Sequence, residues 1–118
     1  MVSRHDFGKK GEDLAAEWLM DKGYEILHRN WRHGRCEVDI IARRQDVYHF
    51  IEVKTGHGHP FGHPEERVSK NKIKNMMRGA AAWLYENPGC PKVQYDVLAI
   101  TFRKDGEPEY MLFTDVYV

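Results

Sequence analysis

Cys36-Glu37-Val38-Asp39-Ile40-Ile41-Ala42-Arg43 is followed, after Arg44-Gln45-Asp46, by Val47-Tyr48-His49-Phe50-Ile51-Glu52-Val53-Lys54-Thr55, and this stretch decides the fold. Both runs are rich in Val, Ile and aromatic residues, which suit a pleated, half-buried surface. The spacing predicts two strands, Cys36–Arg43 and Val47–Thr55, joined by a tight turn. Successive side chains point to opposite faces of a strand. Glu37, Asp39, Ile41 and Arg43 are therefore expected on one face, with Cys36, Val38, Ile40 and Ala42 on the other. Phe50, Glu52 and Lys54 share a face of the next strand. With the turn centred between Gln45 and Asp46, Asp39 faces Glu52 and Glu37 faces Lys54.

Working outward, Asp6 to Lys22 reads as a helix, with Ala15, Ala16, Leu19 and Met20 at helical spacing and Gly23 as its stop. Tyr24–Trp31 reads as a strand before the hairpin, and Gly56 to Pro64 as a loop after it. A second helix is expected over Glu65–Asn87, with Ser69, Ile73, Met76, Met77, Ala80 and Leu84 inward and Asn87-Pro88-Gly89 ending it. Lys92–Phe102 alternates as a strand, Lys104-Asp105-Gly106 signals a hairpin, and Tyr110–Val118 returns as the last strand. The order α-β-β-β-α-β-β predicts an α/β fold with a mixed central β-sheet flanked by helices.

At 118 residues the chain is expected to be a single domain spanning 1–118, without repeats or linkers. No apolar run approaches the ~20 residues of a membrane helix, and the opening residues lack the apolar core of a signal peptide. A cytoplasmic location is the simplest expectation. Cys36 and Cys90 are far apart, so free thiols are expected. Eighteen basic and 18 acidic residues balance, which argues against tight DNA binding by overall charge. A local basic surface is still open.

Directly opposed side chains lie roughly 4.5–5.5 Å apart, and like charges at that distance destabilise a sheet unless a cation sits between them. Mg²⁺ is commonly held by one or two carboxylates with waters and substrate phosphate. Asp39, Glu52 and Lys54 therefore read as a metal-dependent phosphodiester-cleaving site, with Lys54 placed to orient water or neutralise charge on the phosphate. The bland alternative is a set of ordinary sheet-surface pairs, strongest for Glu37 with Lys54. Glu12 falls on the stripe of Ala15, Ala16 and Leu19, behind Gly8 and Gly11. It is either a third acid aimed at the metal centre or a helix carboxylate favoured by the macrodipole. Lys72 sits at the edge of the second helix's apolar face, able to reach a phosphate or merely to snorkel. Arg67, Lys70, Lys74 and Arg78 form a basic stripe that suits a nucleic-acid backbone or a solvated face. Arg29, Arg32, Arg35, Arg43 and Arg44 add positive charge nearby.

These residues resemble a known family. Gly8-x-x-Gly11-Glu12-x-x-Ala15, Gly23-Tyr24 with Asn30, Glu37 to Ala42, Ile51-Glu52-Val53-Lys54, Phe61-Gly62, Val68 with Lys72, and Tyr95-Asp96-Val97 are similar to the ordered motifs of the YraN-like family. Its members are predicted endonucleases, distantly similar to archaeal Holliday junction resolvases, of the restriction-endonuclease-like PD-(D/E)xK superfamily. The resemblance implies a restriction-endonuclease-like core and Mg²⁺ or Mn²⁺ held by Asp39 and Glu52, often with the main-chain carbonyl of Val53. It also implies that Lys54 positions the attacking water, that Glu12 completes the acidic cluster, and that DNA is the partner. Gly56 stands where the family usually has a basic residue, and Cys36 where it usually has Gly.

The expected function is a metal-dependent endonuclease acting on DNA, with branched or damaged DNA in view and a homodimer suited to paired cuts. The alternative is a non-catalytic nucleic-acid-binding or protein-interaction module on the same fold. A third reading has His57, His59 and His63 hold Zn²⁺ or Ni²⁺, against a plain Gly/Pro-rich loop.

Overall fold

The computed structural model describes residues 4–57, 70–89, 92–104 and 106–116. Helix α1 (Arg4–Asp21) is followed by strands β1 (Glu25–His33), β2 (Cys36–Arg44) and β3 (Val47–His57), helix α2 (Lys70–Glu86), and strands β4 (Lys92–Phe102) and β5 (Glu109–Phe113). The strands form one sheet in the order β1-β2-β3-β4-β5. β1/β2, β2/β3 and β4/β5 pair antiparallel, whereas β3/β4 pair parallel. A parallel pair needs a crossover, and α2 lies within it. This is the expected α/β mixed sheet with two helices, consistent with a restriction-endonuclease-like core.

Each helix covers one face of the sheet. On β3, Ile51 packs with Ala15, Ala16 and Leu19 of α1, while its neighbour Phe50 packs with Met76, Ala80 and Trp83 of α2. The two faces follow from strand alternation. Trp83 meets Tyr48 and Phe50 edge-on at 5.3 and 5.8 Å between ring centroids, contacts worth ~0.5–1.5 kcal/mol each beyond burial. Trp83 and Gly79 join the expected inner face of α2, on which Met77 and Leu84 are only partly buried.

Helix α1 ends at Gly23 as expected. Tyr24 N–H donates to Leu19 O and Gly23 N–H to Met20 O, both at 3.0 Å, and Gly23 takes a φ of 92°. These two bonds make a Schellman cap, which places that glycine in the left-handed region. The cap turns the chain so that Tyr24 is buried against the sheet.

The hairpin register is the expected one: Arg44↔Val47, Ile41↔Phe50 and Ile40↔Ile51 are partners. The ladder stops there, one pair short of Asp39 and Glu52. Two expectations fail beyond that point. Val38 does not share a face with Ile40. It packs with the α2 cluster, its Cγ2 lying 3.2 Å from where a Gly79 β-carbon would sit, whereas Ile40 joins the α1 cluster. Glu37 and Lys54 are not ladder partners, because β2 leaves β3 before reaching them; Glu37 instead pairs with Arg32 at 3.6 Å. The last strand is also shorter than expected, Glu109–Phe113.

Candidate metal and nucleic-acid site

The site forms where β2 and β3 part. Past Ile40↔Ile51 the Val53 N–H donates to Asp39 Oδ2 at 2.8 Å, so a side chain replaces the missing backbone acceptor. This bond holds the Asp39 carboxyl beside Glu52. Each of the two residues is only 8% exposed.

Burial is the main reason that both acids hold their protons above the usual carboxylate range. Asp39 is pushed up to about 8 by desolvation and then by the nearby charge of Glu52; the Val53 N–H pulls it down and Glu12 adds a smaller push upward. Desolvation of Glu52 is opposed by the Lys72 ammonium and by a hydrogen bond with Asp39. That shared bond pushes Asp39 further up and holds Glu52 down, so the pair keeps a proton well above the usual carboxylate range. Two carboxyls sharing one proton in a buried gap are what a like-charge pair becomes without a cation.

The remaining expected residues fall at graded distances. Lys72, on the first described turn of α2, brings Nζ to 3.4 Å from Glu52 Oε1, a long ion pair on a half-exposed side chain. It acts as the cation of Glu52 in addition to any outside contact. Lys54 is half-buried, on the face of β3 that Glu52 occupies by alternation, and makes no ion pair among the described residues. Glu12 is half-buried and influences Asp39 through its charge. Its neighbour Gly11 lies so close to Thr55 Cγ2 that a β-carbon there would collide with it, which fixes α1 against β3. Among the described residues, no three His, Cys, Asp or Glu side chains gather at metal-binding distance. An ion here would take the two carboxylates, a main-chain oxygen such as that of Val53, and waters. That set fits a hard cation such as Mg²⁺.

Lys70, Lys74 and Arg78 are exposed on α2, whereas Arg67, His59 and His63 lie outside the described residues. The arginines near the hairpin are less available than their number suggests. Arg29 pairs with Asp13 at 2.6 Å, Arg32 with Glu37 and Arg43 with Asp46, and Arg44 lies over the Tyr24 ring at 4.7 Å. Arg35 is different: with Glu37, Glu52, Lys72 and Asn75 it lines a cleft of about 140 Å³ next to the acid pair.

A second buried polar group was not read from the sequence. His49 Nδ1 and Asp96 Oδ2 lie 2.8 Å apart, on side chains that are 5% and 0% exposed. Asp96 Oδ1 also accepts from Gln94 Nε2 and from the Asp115 N–H, both at 2.9 Å. The Tyr24 ring stands edge-on to His49 at 5.0 Å. The only signal in the sequence is an ionisable residue flanked by apolar ones in each of the two strands, His49 in Tyr48-His49-Phe50 and Asp96 in Tyr95-Asp96-Val97. Nothing in it pairs β3 with β4.

A restriction-endonuclease-like α/β core, with an acid pair where its second and third strands diverge, defines the class of this protein. Within that class the chain belongs to the uncharacterised protein family UPF0102, the YraN family, whose model matches residues 11–100. It is similar to the UPF0102 protein of Chlorobium phaeobacteroides, 47% identical over 97 residues (81% of this chain, 77% of the relative). It is 42% identical to that of Chloroherpeton thalassium over 95 residues (80% and 74%). The likeness to the Flavobacterium psychrophilum protein, 35% identical over 117 residues, takes in 99% of this chain and 98% of the relative. No helix among the described residues is long and apolar enough to cross a membrane.

Proposed function

We propose that this protein is a metal-dependent endonuclease that hydrolyses DNA phosphodiester bonds, with branched and damaged DNA as the first substrates to try. The observation that carries this reading is the buried Asp39–Glu52 pair, with Asp39 fixed by the Val53 N–H where β2 and β3 part. Such a pair destabilises the metal-free fold, and strongly perturbed acids gather where chemistry is done. The all-oxygen donor set favours Mg²⁺ or Mn²⁺ over softer metals.

On this reading Asp39 and Glu52, with the Val53 carbonyl, hold the ion. When bound, the ion neutralises the acids and polarises the phosphodiester. Lys54, on the Glu52 face of β3, orients the attacking water and offsets charge building on the phosphate. Glu12 adds to the negative field that draws a cation. Lys72, Lys70 and Lys74, with Arg67, are the candidate contacts to the DNA backbone.

The test is cleavage of plasmid, flap and four-way-junction DNA with Mg²⁺ or Mn²⁺. Cutting should vanish in chelator and fall by about a hundredfold or more in Asp39→Ala, Glu52→Ala and Lys54→Ala. Failure to cut any substrate, or equal cutting by the variants, overturns the reading. DNA binding that persists in EDTA and ignores Lys54→Ala would then indicate a non-catalytic nucleic-acid-binding module.

A further inference from the structure

We propose that Arg35, Lys72 and Asn75 form a subsite for a backbone phosphate of DNA, next to the phosphate attacked at the Asp39–Glu52 pair. The proposal rests on the nuclease reading for the identity of its ligand. Arg35 lies in the turn between β1 and β2, and Lys72 and Asn75 are three apart on α2, so they are neighbours on one helix face. All five residues lining the cleft are polar or charged. Its volume of about 140 Å³ is well below the ~300–1,000 Å³ of small-molecule pockets. The cleft suits a phosphate group.

The donors match that ligand. A guanidinium offers a fork of N–H groups that fits phosphate oxygens, an ammonium offers three donors, and an amide two more. Arg35 is exposed and makes no ion pair among the described residues. Glu37 and Glu52 balance Arg35 and Lys72, so the cleft is neutral as it stands. Glu37 is already engaged by Arg32. Once a divalent ion takes up the charge of Glu52, that carboxylate no longer offsets Lys72 and the subsite becomes net positive. Phosphate binding at this subsite therefore requires the divalent ion.

The experiment is fluorescence anisotropy of a labelled flap duplex across a range of salt concentrations, in Ca²⁺ and in EDTA. In Ca²⁺, Arg35→Gln should weaken binding about tenfold and shrink the slope of log K against log salt by about 0.9, the signature of one lost phosphate contact. Asn75→Ala should weaken binding with the slope unchanged, because the amide is neutral. Both effects should disappear in EDTA. Lys22→Gln, just past the C-terminal end of α1, should match wild type throughout. The subsite is overturned if Arg35→Gln and Asn75→Ala bind within about twofold of wild type at an unchanged slope, if the losses persist in EDTA, or if wild type does not bind. Cleavage judges the nuclease reading separately. Cutting with unaltered Arg35→Gln binding removes the subsite alone, and no cutting with the expected losses leaves a DNA-binding cleft without a nuclease.

Discussion

Replacing Asp39 by asparagine should make the metal-free protein more stable at neutral pH. In the folded protein Asp39 holds its proton up to about pH 8, against 3.8 for the ordinary side chain. The unfolded chain therefore binds fewer protons than the folded one throughout that window. Stability contributed by this group is complete below the lower value and falls as pH rises toward the upper. The accumulated cost at pH 7 is on the order of 4 kcal/mol, a large share of the ~5–15 kcal/mol that holds a domain together. The side chain introduced by Asp39→Asn would keep an oxygen for the Val53 N–H and an amide to donate to Glu52, without an ionisation to suppress. Urea unfolding in EDTA, followed by fluorescence of the three tryptophans, measures the difference. At ~1–3 kcal/mol per molar urea, the midpoint of the Asp39→Asn variant at pH 7 should lie at least about 1 M above wild type. The gap should close toward pH 4. A smaller slope of the same sign should remain, because the value of Glu52 is also raised. Equal midpoints at pH 7, or a gap that widens on acidification, would refute a proton shared between the two buried acids.

The other predictions concern packing. Gly11→Ala should cost about 1–3 kcal/mol in urea unfolding, because its β-carbon meets Thr55 Cγ2 and overpacking strains both elements. Thr55→Ser, which removes that methyl, should restore most of the loss; no rescue would mean that the contact is not the cause. Asp96→Ala strips partners from His49, Gln94 and the Asp115 N–H, and should cost about 3–5 kcal/mol. A loss below about 1 kcal/mol would show that the group is not buried as described.

The hairpin register was legible from the place of the tight turn, because centring it between Gln45 and Asp46 sets every pairing of the two strands. The residue types of the turn were a weaker guide: Gln45 takes a φ of 58°, unusual for a residue that is not glycine, Asn or Asp. Gly23 and Asn87 were legible as helix ends because capping is local chemistry. The divergence of β2 from β3 was not legible, since the bond that ends the ladder comes from the Asp39 side chain and no backbone preference encodes it. Lys72 was placed at the edge of the apolar face of α2 by helical spacing, but its pairing with Glu52 depends on how α2 is set against the sheet. Arg35 was read only as one of several nearby positive charges and Asn75 not at all, since a turn and a helix must meet in space before they line one cleft.

The Asp96 group also bears on how the chain finds its fold. β3 and β4 run parallel and are joined by no tight turn, so nothing local dictates which residue sits beside which. The partnership Ile51↔Asp96 is the one that brings His49 to this carboxylate, which Gln94 reaches from within β4 and the Asp115 N–H from just after β5. Sliding β4 by one residue turns the acid to the other face of the sheet, and sliding it by two carries it away from the imidazole. Either slip takes the imidazole away from a carboxylate that stays buried, a loss on the order of 1–3 kcal/mol. Asp96 thus favours one strand alignment over its neighbours, the one that places Glu52 opposite Val97.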